Sequence, residues 1–193
     1  MKLANQFFKT LSMRNARLAV ATVGLLTLFV FTPSTFFQTE AVTNVGKMPK
    51  EAVAQIKLIT VDGQQFSLAS LRGKVVVLDF FGMRCAHSRD HIKETMTQFS
   101  EEQISKGLQL IGIESESSSA NQVREYIQAQ KLNYPVAQID EPTFLQFVNS
   151  RDLSAPQTLV FGRDGKLLLH TNGHSAQNEA AIRAAVQKAL DKQ

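Results

Sequence analysis

The 193-residue sequence contains a single cysteine, Cys85, and no tryptophan. A lone cysteine cannot form a disulfide within the chain, which excludes a fold held together by internal disulfides. The thiol is therefore either buried and inert or reactive toward partners outside the chain. The sequence also lacks internal repeats and low-complexity segments, and with 44% apolar and 20% charged residues it has the composition of a globular protein.

Beyond the first 40 residues the chain has almost no net positive charge. Residues 1–40 carry four basic side chains and one acidic side chain, whereas residues 41–193 carry 17 basic and 16 acidic ones. A nucleic-acid-binding domain would need a basic surface within its folded part. We therefore exclude nucleic acid as a partner.

One long apolar run is present, near the N-terminus. Residues 18–31 are uncharged and follow a basic stretch, the layout of an export signal that places the rest of the chain outside the cytoplasm. Two interpretations of residues 1–40 stay open. A signal peptide removed near residues 39–41 would leave a soluble periplasmic protein. An uncleaved membrane anchor would extend to Phe36 and Phe37 to reach the ~20 residues that a bilayer requires, and the protein would stay at the cell membrane, facing the periplasm or extracytoplasmic space.

Beyond a linker at 41–53, strand and helix patterns alternate through residues 54–193. Alternating apolar residues predict a hairpin, and continuous runs rich in β-branched residues predict strands buried on both faces. This order predicts an α/β fold with a mixed central sheet flanked by helices. The expected strands are 54–60 and 65–68 (the hairpin), 74–81, 108–113, 134–139, 157–162 and 166–171, and the expected helices are 86–104, 120–130, 141–149 and 179–190.

The pattern around Cys85 points to sulfur chemistry. A buried strand ends near Phe81, a short loop with Gly82 follows, and the cysteine opens a helix. A helix N-terminus presents unpaired N–H groups and the positive end of the helix dipole, which stabilise a thiolate. The neighbouring Arg84, His87 and Arg89 add positive charge in the same direction.

These residues resemble the TlpA/ResA-like branch of the thioredoxin superfamily, which comprises exported thiol–disulfide oxidoreductases. The stretch 66–81 resembles the family's lead-in to its active site, and the match extends over about residues 54–190. The resemblance implies a thioredoxin-like fold with an N-terminal hairpin and a central helix–strand insertion at about 114–150. It also implies that Cys85 is the nucleophile, that Asp79 is the buried acid beneath the site, and that Pro156 is the cis-proline that faces Cys85.

The departures from the family's C-x-x-C motif are informative. Here the motif is Cys85-Ala86-His87-Ser88, in which serine replaces the resolving cysteine, and Arg84 stands where the family usually has tryptophan. His87 occupies the place of the histidine in the C-P-H-C motif of DsbA-like proteins. Without a resolving cysteine, a mixed disulfide on Cys85 must be released by an external thiol. The expected partners are thus protein or small-molecule disulfides and thiols, with the backbone at Ala155 and Pro156, together with Arg84, positioning the substrate.

Each candidate also has a plainer interpretation. Asp79 is either a proton-handling group or a structural acid with a buried partner, and His87 either stabilises the thiolate or is simply solvated. His87 and His91 are spaced i, i+4, but with Cys85 they lack a further ligand of suitable spacing. We therefore expect no metal and no cofactor. The run 114–119 is interpreted as a solvated loop and helix cap.

Three functions are compatible with the sequence. The first is monothiol thiol–disulfide exchange through Cys85, assisted by Asp79, His87, Ser88 and Pro156. The second is a non-enzymatic module that binds a partner through the same fold. The third is a one-cysteine peroxidase of the peroxiredoxin type, a family that places proline seven residues and threonine or serine three residues before its cysteine. In this chain those positions hold Leu78 and Gly82, which disfavours the third function.

Overall fold

The computed structural model describes residues 45–148 and 152–192. The predicted leader at 1–40 lies outside these residues. Within the described part, no helix is both long and apolar enough to cross a bilayer. The strands are β1 (Leu58–Ile59), β2 (Gln65–Phe66), β3 (Val75–Phe81), β4 (Leu108–Glu114), β5 (Val136–Gln138), β6 (Gln157–Phe161) and β7 (Leu167–Asn172). The helices are α1 (Glu51–Ala54), α2 (Ala86–Glu94), α3 (Glu101–Ser105), α4 (Ala120–Gln130), α5 (Glu141–Val148) and α6 (Ala176–Leu190).

The main sheet has the strand order β5-β4-β3-β6-β7 and is mixed. Strand β3 pairs in parallel with β4 and antiparallel with β6, whereas β1 and β2 form a separate antiparallel hairpin. All seven residues of β3 are buried. A strand in the middle of a sheet covered on both faces has no solvated side, which explains why its sequence is a continuous apolar run rather than an alternating one.

The two faces of β3 belong to two hydrophobic cores. Val76, Leu78 and Phe80 pack into the core that also contains α5, and Val75 and Val77 pack into the core formed with α2 and α6. Because side chains alternate along a strand, Asp79 lies on the same face as Val77. The carboxylate of Asp79 therefore points toward α2, the helix that follows Cys85.

The helix predicted at 86–104 is broken into three pieces, and the prediction of one continuous helix is wrong. Helix α2 ends at Glu94, and its C-cap residue Thr95 has a φ of −121°. A 3₁₀ turn follows at Met96–Gln98, and Ser100 then caps a new helix, α3, with a capping box. Ile92, Met96 and Phe99 are nevertheless all buried in one core. The spacing of these apolar residues thus indicates that they face the same core, and it does not require that they belong to one unbroken helix.

Other elements differ mainly at their ends. The hairpin strands are shorter than predicted, and α6 begins earlier than residue 179, because Ser175 caps it by accepting a hydrogen bond from Asn178 N at 3.2 Å. The short helix α1 lies in the predicted linker. Lys47 in the same segment accepts a hydrogen bond from Leu167 N at 2.9 Å, so this part of the linker contacts β7.

Candidate functional site

Cys85 is the N-cap residue of α2, as the sequence predicts. Its backbone is extended (φ −82°, ψ 120°), and its carbonyl oxygen accepts the hydrogen bond of Arg89 N at 3.2 Å. The preceding turn is closed by Cys85 N, which donates to Gly82 O at 3.2 Å. The thiol is free and partly exposed, and it lies at the positive end of a nine-residue helix.

A second loop crosses in front of the thiol. Cys85 Sγ lies 3.4 Å from the carbonyl oxygen of Ala155, and the peptide bond between Ala155 and Pro156 is cis. The loop is held in place by Gln157 Nε2, which donates to the carbonyl oxygens of Asp152 and Ser154 at 2.8 Å each. The fold thus brings Cys85, the predicted nucleophile, next to Ala155 and Pro156, the two residues expected to align a substrate backbone.

Ser88, three residues after Cys85, stands where the resemblance described above implies a second cysteine. Its side chain is fully buried, and its hydroxyl accepts a hydrogen bond from Gly82 N at 3.2 Å. An unsatisfied buried N–H group costs about 1–3 kcal/mol. The serine therefore fixes the turn that leads into the helix instead of supplying a second sulfur.

Arg84 does not act as an uncompensated cation beside the thiol. Its Nε atom lies 3.5 Å from Glu116 Oε2, and its backbone N donates to the same oxygen at 3.2 Å. The pair is largely solvated, because the Arg84 side chain is 84% exposed, so its contribution to stability is about 0–1 kcal/mol. Glu116 also lies over Gly82, where an added Cβ would approach Glu116 Oε1 to 2.6 Å. A larger residue at position 82 would therefore require the Glu116 side chain to move.

The loop that carries Glu116 is built around a buried acid, Glu114. The Glu114 carboxylate accepts hydrogen bonds from Glu116 N at 2.9 Å and from Ser118 Oγ at 2.9 Å. The expected helix cap is present, since Ser119 Oγ accepts from Gln122 N at 3.3 Å. The expectation of a solvated loop is wrong for Glu114, which is 0% exposed, whereas residues 115–119 are partly or fully exposed. The polar sequence of residues 114–119 does not indicate that the carboxylate of Glu114 is buried.

Asp79 is completely buried and has two polar neighbours. Its Oδ1 atom lies 3.2 Å from His91 Nε2 and accepts a hydrogen bond from Thr158 Oγ1 at 3.3 Å. Thr158 stands directly opposite Asp79 in the pairing of β3 with β6, and His91 lies on α2 above the same face of the sheet. Asp79 therefore has a buried polar partner, as its interpretation as a structural acid required. That partner, His91, is itself titratable.

The two histidines of α2 have different environments. His87 is exposed in the first turn, whereas His91 is 1% exposed. Among the described residues, the group of three potential ligands whose donor atoms come within 4.8 Å of one another is Glu94, His174 and Glu179. The arrangement of Cys85, His87 and His91 considered from the sequence does not form such a group.

Glu94, His174 and Glu179 form an ion-pair cluster with Arg183. His174 Nε2 lies 2.6 Å from Glu179 Oε1 and 3.4 Å from Glu94 Oε2, and Arg183 lies 3.2 Å from the second oxygen of Glu179. Burial raises the pKa of Glu179, but hydrogen bonds from Arg183 and His174 outweigh it and leave the pKa below its usual value. The guanidinium of Arg183 thus offsets part of the negative charge of this cluster.

Two tyrosines, Tyr126 and Tyr134, lie close enough to Asp79 to interact with its charge. Tyr126 stacks on Phe81, the last residue of β3, with ring centroids 5.6 Å apart. Burial, reinforced by the carboxylates of Asp79 and Glu116 and opposed by Arg89, raises the pKa of Tyr126 to about 12. Burial also raises the pKa of Tyr134 well above its usual value. Both phenols therefore stay protonated and neutral over the physiological pH range.

Comparisons with known proteins agree with this architecture. A family model described as the AhpC/TSA family matches residues 49–169, and no curated protein matches significantly. A thiol:disulfide interchange protein of the thioredoxin family from Chlorobium tepidum TLS is similar in structure (TM-score 0.60, 27% identity, 70% of this chain and 92% of that chain). So is a secreted thiol-disulfide isomerase from Corynebacterium glutamicum (TM-score 0.62, 17% identity, 75% and 91%). A secreted disulfide oxidoreductase from Mycobacterium tuberculosis, homologous to E. coli DsbE, also matches (TM-score 0.56, 16% identity, 72% and 99%). These similarities confirm the predicted thioredoxin-like fold.

Proposed function

Because the chain belongs to the AhpC/TSA family and has the fold of thiol–disulfide oxidoreductases, we propose that it carries out monothiol thiol–disulfide exchange. In this reaction Cys85 forms mixed disulfides that an external thiol releases. The observation that carries the proposal is the position of the sulfur. It is free and partly exposed at the N-terminus of α2, 3.4 Å from the backbone of a second loop.

The first step is attack of the Cys85 thiolate on one sulfur of a substrate disulfide. A new S–S bond forms between Cys85 and that sulfur, the substrate S–S bond breaks, and the other sulfur leaves as a thiolate that takes a proton from water. The N–H groups at the start of α2 favour the thiolate over the thiol. They also make the Cys85 thiolate a good leaving group when the mixed disulfide is later broken.

The second step requires a thiol from outside the chain. Ser88 is buried and carries oxygen in place of sulfur, so no intramolecular disulfide can expel the substrate. An external thiolate attacks the substrate sulfur of the mixed disulfide, a new external disulfide forms, and Cys85 returns as a thiolate. After the two exchanges Cys85 is a thiolate again, so the protein undergoes no net oxidation or reduction.

The substrate is expected to lie along the loop at Ala155 and Pro156. The carbonyl oxygen of Ala155 points at the sulfur, at 3.4 Å, and residues 152–154 beside it are exposed. An extended peptide or a small disulfide could use this backbone for hydrogen bonding while its sulfur reaches Cys85. Protein and small-molecule disulfides are therefore the proposed substrate class. An extracytoplasmic location, suggested by the N-terminal leader, belongs to the same proposal.

The test is turnover of a small mixed disulfide in the presence of a reducing thiol. We expect the wild-type protein to accelerate the exchange and the Cys85→Ser variant to lose all acceleration. The matched control combines Cys85→Ser with Ser105→Cys, which moves the single thiol to an exposed position on α3. Equal rates for this control and the wild type would show that the site adds nothing to a bare thiol. No acceleration by the wild type would favour the partner-binding module instead.

The family match gives one reason to test a peroxidase as well, because the model is named for the AhpC/TSA family. The site lacks a hydroxyl three residues before the cysteine, where Gly82 lies beneath Glu116. Leu78, seven residues before the cysteine, is buried in β3. Consumption of hydrogen peroxide that is lost in Cys85→Ser would establish this activity, and we expect none above the rate of a free thiol.

A further inference from the structure

The loop that faces Cys85 is followed directly by a buried glutamine, Gln157, the first residue of β6. Gln157 is 1% exposed although its side chain is polar. We propose that Gln157 is a positioning residue, whose amide holds the substrate loop (residues 152–156) in the shape that aligns a peptide disulfide with the sulfur of Cys85. The inference rests on the proposed function of Cys85 and narrows its substrates, because it makes peptide disulfides better substrates than small ones.

Hydrogen bonding determines which end of the Gln157 amide faces the substrate loop. Gln157 Nε2 lies 2.8 Å from the carbonyl oxygens of both Asp152 and Ser154. A carbonyl oxygen can only accept, so the NH₂ group of the amide faces the loop and donates both of its protons there. The amide oxygen, Oε1, is therefore turned away from the loop and toward β7.

A histidine on β7 holds that amide oxygen. His170 Nε2 lies 2.8 Å from Gln157 Oε1. Because the amide oxygen is an acceptor, His170 Nε2 carries the proton in this contact, in the neutral ring as well as in the imidazolium. The hydrogen bond that orients Gln157 thus does not depend on the charge of His170.

Asn172, two residues further along β7, holds the substrate loop at a second point. It stands opposite Gln157 in the pairing of β6 with β7. Its Nδ2 atom donates to Asp152 Oδ2 at 2.5 Å, and its Oδ1 atom accepts from Ser154 Oγ at 3.0 Å. Because side chains alternate along a strand, His170 and Asn172 emerge on the same face of β7. One face of β7 therefore carries both supports of the loop.

Gln157 acts from the side of the sheet that faces away from α2. Thr158, the next residue of β6, has its hydroxyl oxygen 3.0 Å from Nε2 of His91 on α2. The Gln157 side chain emerges on the opposite face, where Leu159 packs into the core that also contains α5. A substitution at Gln157 is therefore expected to act on the backbone of the substrate loop and not on the helix N-terminus beside the sulfur.

Peptide and small disulfides depend on this loop to different degrees. An extended peptide hydrogen-bonds to the backbone of the loop, and a loop that is already ordered in the free protein loses little entropy when the peptide binds. A small disulfide reaches the sulfur with few such hydrogen bonds. Loss of the Gln157 amide should therefore weaken exchange with a peptide about three- to ten-fold more than exchange with a small disulfide.

The experiment compares two disulfides in the full-length protein, with reduced glutathione as the external thiol. One is a short peptide dimerised through its single cysteine, and the other is 2-hydroxyethyl disulfide. Gln157→Met keeps the length of the side chain and removes the amide. The matched control is Gln109→Met on β4, whose amide donates to Leu110 O at 3.2 Å.

The measured quantity is the ratio of kcat/KM for the peptide disulfide to kcat/KM for the small disulfide. We expect Gln157→Met to lower this ratio about three- to ten-fold, mainly by raising KM for the peptide. The control should keep the wild-type ratio. An unchanged ratio in Gln157→Met, or an equal loss for both disulfides as a general structural defect would cause, would overturn the inference.

A second variant loosens the same amide from a partly exposed position. His170→Leu removes the proton donor to Gln157 Oε1 and should lower the ratio in the same direction. It decides the question if Gln157→Met does not fold, and an unchanged ratio in it then rejects the role of Gln157. In the wild-type protein, NMR spectra should show that the side-chain amide protons of Gln157 exchange slowly with water. Rapid exchange would contradict the hydrogen bonds on which the role depends.

Failure of this inference is distinct from failure of the proposed function. If the wild-type protein accelerates neither exchange, the proposed function fails. If it accelerates both exchanges and the variants leave the ratio unchanged, Cys85 is still the nucleophile and only the role of Gln157 is rejected.

Discussion

The sulfur of Cys85 lies 3.4 Å from the carbonyl oxygen of Ala155, although 70 residues separate the two in sequence. This contact joins the N-terminus of α2 to the loop that precedes β6. It leaves the thiol partly exposed, with backbone on one side and solvent on the other. A nucleophile that must meet disulfides from outside the chain requires such a position.

The first prediction concerns reactivity. At pH 6 native Cys85 should be alkylated faster than the urea-denatured chain, because the thiolate is the reactive form and the N–H groups at the start of α2 stabilise a negative charge on the sulfur. Mass spectrometry of quenched samples measures both rates. Equal rates in the native and denatured states would remove the basis for a specialised thiol.

A second prediction tests whether positions 85 and 88 are placed to form a disulfide. Ser88→Cys should form a disulfide with Cys85, detected as a mass loss of about 2 Da and the absence of free thiols, because the two positions start the same helix three residues apart. The variant should then reduce disulfides without an added small thiol in the attacking step. Ser88→Ala is the matched control: it should form no disulfide, and it should be less stable by about 1–3 kcal/mol, since Gly82 N loses its hydrogen-bond acceptor.

Glu116 should restrain the reactivity of the site. Glu116→Gln removes a negative charge beside the turn at Arg84 while keeping an acceptor for the backbone N–H. The rate of Cys85 alkylation at pH 7 should therefore shift upward, because a charge that repels an anionic sulfur is removed. The control is Glu102→Gln, which removes an exposed carboxylate that pairs with Lys106 on α3. A shift of equal size in both variants would indicate a general charge effect instead of a local one.

His170 gives a pH dependence of stability with a definite sign. Burial lowers the pKa of His170 from its ordinary value of 6.5, so the unfolded chain binds this proton more readily than the folded protein does. Stability should therefore be greatest above about pH 6.5 and should decrease as the pH falls below it. Urea unfolding at pH 7.5 and 5.5 measures the difference. His170→Gln should reduce it, whereas His87→Gln, at an exposed position, should leave it unchanged.

The last prediction concerns the central strand. Phe80 is 0% exposed and packs against Phe144 and Phe147, with ring centroids 5.0 and 5.8 Å away. Phe80→Ala should lower the free energy of unfolding by about 3–5 kcal/mol. Ile59→Ala, at a side chain that is 52% exposed, should change it by no more than about 0.5 kcal/mol. A small loss for Phe80→Ala would mean that the core can collapse around the cavity.

Much of the fold could be predicted because its signals are local. The continuous apolar run of β3 indicated a central strand, and helix α4 has the bounds that its sequence predicted, Ala120–Gln130. The break in the helix predicted at 86–104 could not be seen. It depends on the backbone at Thr95 and a new cap at Ser100, while the apolar residues on either side keep facing the same core.

By itself the sequence determined that one sulfur opens a helix after a buried strand, because strand, turn and helix are consecutive and each has its own periodicity. Only the tertiary structure decided what surrounds that sulfur. Glu116 approaches Arg84 from 32 residues away, and Thr158 meets His91 across 67. Such pairings follow from strand register and from the face on which each side chain emerges. The residues next to each partner in the sequence do not indicate them.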